Sequence, residues 1–187
     1  MARIRTDSIW VWVMSFSRVT VLFALACLAF APPARAQAGG DHDPRIAFVA
    51  GVFTTPPEPE VVPLQGETAS TTTAILGQRY AHPSIPCWRA GGKSVWILES
   101  RVKSRYMTAG FVISEGRIEK SEVLLYREDR GRQIRSPDFL KQFTGMALER
   151  EGKLDRFIDG ITGATISVTA MKNMARLALY LESIMPE

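Results

Sequence analysis

Three runs between Ser94 and Glu128, "SVWILES", "TAGFVIS" and "GRIEKSEVLLYRE", limit what this chain can become. They are rich in β-branched and aromatic residues, the composition of strands. Glu115-Gly116 separates the second run from the third, and strands joined by so short a turn pair antiparallel. Helical chemistry follows. In "SPDFLKQFTGM" Ser136 stands as an N-cap, Pro137 fits the first helical position, and Phe139, Leu140 and Phe143 share a face. "SVTAMKNMARLALYLESIM" is an amphipathic helix with Val168, Met171, Met174, Ala175, Ala178 and Leu181 on one side. Its methionine stripe reads as core rather than as a cofactor box. The expectation is an α+β fold, a small and mostly antiparallel sheet with flanking helices.

Upstream the signals are weaker. "VFTTPPEPEVVPL" holds four prolines and should run extended. "GETASTTTAILGQRY" reads as a helix over about residues 67–76 that Gly77 ends. "HPSIPCWRAGGK" reads as loop with a turn at Gly91-Gly92, and "QAGGDHDPR" as a mobile polar stretch.

The first segment has a different purpose. Arg3, Arg5 and Arg18 precede the apolar run Val19–Ala31, and small residues stand at Ala34 and Ala36. That is the pattern of a secretory signal peptide cut after Ala36. The run holds 13 residues, short of the roughly 20 a spanning helix needs. The chain therefore divides into a signal peptide (1–36), an extended Pro-rich segment (37–65) and one domain (66–187). Cleavage removes four arginines and one aspartate from the chain's 23 basic and 19 acidic residues, which leaves 19 and 18. A domain so close to neutral, without a basic run, carries no electrostatic footprint for nucleic acid. Cys87 is its one cysteine, so no internal disulfide or paired-cysteine metal site forms, and His42 and His82 stand at no metal-like spacing. No resident metal is assigned.

The loop "FIDGITGATISVTAM" feeds the last helix. Thr162, Thr165 or Ser167 could cap that helix, since a hydroxyl accepts from orphan first-turn N–H groups. The other reading is that one hydroxyl carries a phosphate-linked group. A helix N-terminus is a ready anion site, and Gly163 and Ala164 let a phosphate approach the backbone. Thr165 is the hydroxyl at the helix start.

"DGITGAT" (Asp159–Thr165) resembles the flavinylation motif of the exported FMN-binding domain, found in subunits C and G of the sodium-translocating NADH:quinone reductase and Rnf-type complexes and in stand-alone periplasmic proteins. "AGFVISEGRIEKSEVLLYREDRG" is similar to that family's strand pair and "FLKQFTGM" to its helix end, so the likeness spans roughly residues 88–180. The resemblance implies FMN held covalently, as a phosphoester on Thr165, by a separate FAD-consuming FMN transferase. It implies cofactor-binding roles for Asp159, Thr162, Gly163, Ala164, Ser167, Glu128 and Gly131. Asp159 would steady the loop or hold a divalent metal while the transferase acts. Tyr126, Gln142 and Phe143 would stand in the flavin's outer surroundings, and Trp88 or Trp96 would cover the ring unless aromatic burial alone explains them. The chain departs from the complexes' subunits in two ways: "EDRG" (Glu128–Gly131) replaces their Thr-Pro-Gly turn, and their membrane anchor has no retained counterpart after cleavage.

The function that follows is a periplasmic electron carrier, working with a membrane or periplasmic redox protein; membrane association stays open. The alternatives are a flavin-dependent reductase with its own small substrate and an FMN-binding sensory or accessory module. No catalytic residue is assigned, because no acid–base constellation stands out and no Gly-x-Gly-x-x-Gly turn offers a dinucleotide site. The exported protein should begin at Gln37. N-terminal sequencing checks this, and a retained hydrophobic segment in the membrane fraction would overturn it.

Overall fold

The computed structural model describes residues 43–149 and 151–186, so the signal-peptide assignment and residues 37–42 of the following segment lie outside the described residues. The elements are α1 (Pro44–Ala50), β1 (Glu60–Pro63), α2 (Gly66–Leu76), β2 (Ser84–Ala90), β3 (Lys93–Val102), β4 (Arg105–Ser114), β5 (Arg117–Leu125), α3 (Pro137–Leu140) and α4 (Thr165–Ile184). Short 3₁₀ turns at Arg132–Arg135 and Lys141–Phe143 flank α3. The strands form one five-stranded antiparallel meander in the order β1-β2-β3-β4-β5. The α+β expectation holds.

β3 and β4 pair along their full length, from Lys93 opposite Ser114 to Val102 opposite Arg105. The β4–β5 turn has Glu115 at φ 51° and Gly116 at φ 68°, the left-handed pair that suits a two-residue hairpin to the twist of its strands. α2 ends at Gly77 in the left-handed conformation, as its sequence requires. Ser136 accepts from the Phe139 N–H at 3.3 Å, and Phe139 and Phe143 are buried.

Both faces of the central strands are covered. Trp96, Leu98, Phe111 and Ile113 point into the main core, where the buried methionines and alanines of α4 meet them. Small residues on α4 let it lie close across β3 and β4, with α2 beside it. Val95, Ile97 and Val112 face the other way, into a second cluster with Phe48, Val49 and Phe53. Cys87 is wholly buried, and burial pushes its thiol up to about 12, which makes it a packing residue rather than a reactive one.

The covering of the second face puts a helix, α1, at Pro44–Ala50 of the segment expected to run extended, while the Pro-rich stretch is extended at Glu60–Pro63. Asp43 caps α1 by accepting from the Arg45 N–H at 2.9 Å, Pro44 sits where its missing N–H costs nothing, and β1 follows. "HPSIPCWRAGGK" is likewise strand rather than loop over Ser84–Ala90. Its proline is tolerated for a local reason. Ser84–Pro86 pair only with β1, while Cys87–Ala90 pair with β3, so Pro86 lies beyond the ladder on one side.

Gly110 of β4 makes room for α1. A Cβ there would stand 2.5 Å from the Phe48 ring. Gly110→Ala should cost about 1–3 kcal/mol by overpacking, and Phe48→Ala about 3–5 kcal/mol by loss of burial. Because the clash needs the ring, the double variant should be less destabilised than the sum of the two. Urea unfolding of the four proteins measures this, and strict additivity would show that Phe48 does not sit over Gly110.

Candidate functional site

The site forms where β5 ends and α4 begins. Past Leu125 the chain turns through Tyr126–Gly131, and this turn is tied to α4 by one side chain. The Tyr126 hydroxyl donates to the Arg130 carbonyl at 2.7 Å and meets Ser167 Oγ at 2.8 Å. With its own hydrogen given to Arg130, it accepts from Ser167, which is buried. Gly131 has φ 80°, and a Cβ there would come within 2.9 Å of both Ala164 Cβ and Tyr126 Oη. Only glycine lets the turn approach α4 this closely.

On the other side, the Ala164 N–H donates to the Ile161 carbonyl at 3.0 Å and closes a turn with Gly163 at φ 79°. Ala164 is the N-cap of α4 and makes no side-chain capping bond. None of Thr162, Thr165 and Ser167 therefore fills the capping role. Thr165 is the first helical residue and exposed. The first-turn N–H groups of a 20-residue helix are left without intrahelical acceptors, and the macrodipole adds partial positive charge there.

A cavity of about 430 Å³ opens at this point, lined by Glu128, Arg130, Gly163, Ala164, Thr165 and Ser167, with Lys103 of the β3–β4 turn at its edge. Glu128 Oε1 is buried with no hydrogen-bond partner. A buried carboxylate oxygen without a donor is costly, and a ligand hydroxyl would relieve it. The lining also holds Asp129, so Lys103 and Arg130 face two carboxylates; with the bare helix start and the orphaned Glu128 oxygen, this mixed set suits a ligand that carries a phosphate at one end and hydroxyl groups beyond it.

Glu128, Gly163, Ala164, Thr165 and Ser167 thus surround one cavity. Gly131 packs beneath Ala164 rather than facing the opening. Asp159 and Thr162 are exposed and stand outside the lining, and the Asp159 N–H donates to Gln142 Oε1 at 2.8 Å, so Gln142 braces the loop. Phe143 is core. Neither tryptophan covers the site. Trp96 is fully buried and donates to Glu182 near the far end of α4, some 25 Å along the axis from Thr165, while Trp88 packs against the α1 cluster. Lys103 and Arg130 escaped the sequence reading. Only the positive φ of Lys103, 52°, marks its turn, and it emerges from the hairpin geometry, not from a motif.

Fold and cleft together define a small α+β domain with an uncapped helix start open to a cavity. A family model described as FMN-binding domain matches residues 105–180, which takes in β4, β5, the loop and most of α4. Over this stretch the chain is similar to the FMN-binding domain family, a likeness consistent with an FMN-binding domain and with FMN as the cofactor. No curated protein and no solved structure matches the chain.

Tyr126→Phe removes the hydroxyl that joins the turn to the helix. It should cost about 1–3 kcal/mol, because a buried partner is left unpaired. Amide hydrogen exchange should quicken at residues 127–131 and 165–168 while distant strands keep their protection. Unchanged exchange there would show that Gly131 packing alone holds the turn.

Proposed function

We propose that this protein is an exported flavoprotein that carries FMN as a phosphoester on Thr165 and relays electrons between protein partners. One observation supports the attachment point above all. Thr165 presents its hydroxyl at an uncapped helix start, inside the cavity, where it is free of structural duty.

The attachment chemistry balances with FAD as donor. Thr165 Oγ1 loses its proton and forms an O–P bond to the FMN phosphorus, while the pyrophosphate bond breaks and AMP leaves. A separate transferase performs this step. In the finished protein the N–H groups of Ile166 and Ser167, with Lys103 and Arg130, would neutralise the remaining phosphate charge. Glu128 would accept from a hydroxyl of the sugar-alcohol chain, and Asp159 would serve the loop or a divalent metal during attachment. The bound flavin supplies reversible one- and two-electron chemistry, and the protein supplies position and electrostatics.

Residues 1–36 support export to the periplasm, where nicotinamide nucleotides are scarce, so a membrane or periplasmic redox protein is the natural donor. Among the described residues no helix is long and apolar enough to cross a membrane.

Co-produced with an FMN transferase and exported, the protein should show flavin fluorescence in a denaturing gel. Thr165→Val should abolish that signal and shift stability by less than about 1 kcal/mol, since no capping bond is lost. Thr162→Val should only weaken incorporation. Fluorescence that survives in Thr165→Val would move the ester to another hydroxyl, and its absence from the unaltered protein would end the covalent reading.

A further inference from the structure

Phe157 has 80% of its surface exposed, the most among the described large hydrophobic residues, and it lies eight positions before Thr165. Ile166, next to Thr165, is 51% exposed. Between them runs the outer face of α4. Lys172 Nζ stands 5.5 Å from the centre of the Phe157 ring, which holds the aromatic in place at the surface.

This face is strongly cationic. Lys153, Arg156, Lys172 and Arg176 line a cleft of about 480 Å³ with Phe157. Asp155 is its one acidic lining residue, and that carboxylate is engaged by Arg117 at 3.4 Å and Arg156 at 3.7 Å. Lys153 is paired with Glu151 at 2.7 Å. Among the described residues no carboxylate lies within ion-pairing distance of Lys172 or Arg176. The cleft also lies beside the proposed attachment residue. Thr169 and Asn173 line both it and a smaller hollow that takes in Thr165 and Ile166. Lys172 is two helical turns from Thr165, about 10 Å along the axis.

We propose that this face is the docking surface for an acidic redox protein, with Phe157 and Ile166 as apolar anchors and Lys172, Arg176, Lys153 and Arg156 as a cationic rim. An aromatic anchor inside a charged rim is the usual anatomy of a protein interface, and the rim's charge selects a partner of the opposite sign. A protein fits better than an anionic membrane, because the cations line a concave cleft and the cleft adjoins the attachment residue. The redox role rests on the flavin reading above. The charge argument does not.

The test uses the exported, transferase-matured protein, with an acidic plant-type ferredoxin and a basic cytochrome c as protein probes. Anisotropy of labelled ferredoxin reports binding whether or not flavin is present, and anaerobic stopped-flow reports flavin reduction by reduced ferredoxin. Lys172→Glu with Arg176→Glu should weaken ferredoxin binding and slow flavin reduction at least tenfold. Rising salt should do the same to the unaltered protein. Phe157→Ala should weaken binding even at high salt. Photochemical reduction by a neutral deazaflavin and oxidation by cytochrome c should not slow. Lys172→Glu alone, with an unchanged melting temperature, guards against misfolding as the cause. Ferredoxin binding indifferent to the charge reversal overturns the proposal, as does an equal slowing with cytochrome c. Loss of binding to phosphatidylglycerol vesicles alone, with ferredoxin unaffected, would give the face to a membrane instead. A protein without covalent flavin that still shows the charge-dependent binding would sink the flavin reading and leave the docking surface standing.

Discussion

Glu182 accepts from Ser94 Oγ at 2.6 Å and from Trp96 Nε1 at 2.8 Å near the carboxyl end of α4, and Ser167 meets Tyr126 Oη at 2.8 Å near its amino end. Between these two polar contacts the helix lies on the sheet through Met171, Met174, Ala175 and Ala178, all fully buried. Apolar packing is not directional and would tolerate some sliding of α4 along its axis. The polar contacts remove that freedom, since a shift of one residue would leave buried donors and acceptors unpaired. The place of Thr165 is thus set partly by a carboxylate some 25 Å away.

The open end of α4 is the consequence. An uncapped N-terminus forgoes about 1 kcal/mol that a serine or aspartate at position 164 would contribute. Ala164 packs against the turn, its Cβ 2.9 Å from where a Cβ on Gly131 would stand, and its methyl offers no capping oxygen. The close approach of Gly131 and the absence of a cap meet at this one residue. Together they keep the first-turn N–H groups available and place Glu128 and Arg130 opposite them.

How much of this the sequence disclosed follows from the range of the interactions. The β4–β5 hairpin was legible because Glu115-Gly116 and its flanking runs are local signals. α4 was legible because its apolar period is long, and the loop before it because Gly163 and Ala164 sit at a helix start. β2 was hidden by Pro83 and Pro86, since only the register shows that Pro86 lies beyond β3's ladder. α1 was hidden because seven residues carry too little period. Its reason for existing lies on the sheet, whose apolar second face at Val95, Ile97 and Val112 must be covered. Lys103 reaches the cavity through the β3–β4 turn, so its role depends on a pairing no local pattern states. Trp96 admitted two readings, ring cover or burial, and only its place in the folded core, fully buried against α4, decides for burial.

The near balance of 19 basic and 18 acidic residues expected after cleavage hides a segregation that the fold imposes. Lys172 and Arg176 are one turn apart, so both stand on the side of α4 away from the sheet, and the loop 153–157 brings Lys153 and Arg156 beside them. The carboxylates at this face, Asp155 and Glu151, are engaged by Arg117, Arg156 and Lys153, while Glu182 is held by Trp96 and Ser94, and Glu99 by His82 and Thr108 on the far strands. A charge pattern of this kind has little field beyond a Debye length of about 8 Å at physiological salt. It acts at contact, where it orients a partner already close, rather than at long range. For the proposed redox role that is the more useful property, because the geometry of the encounter, not its frequency alone, decides whether electrons cross.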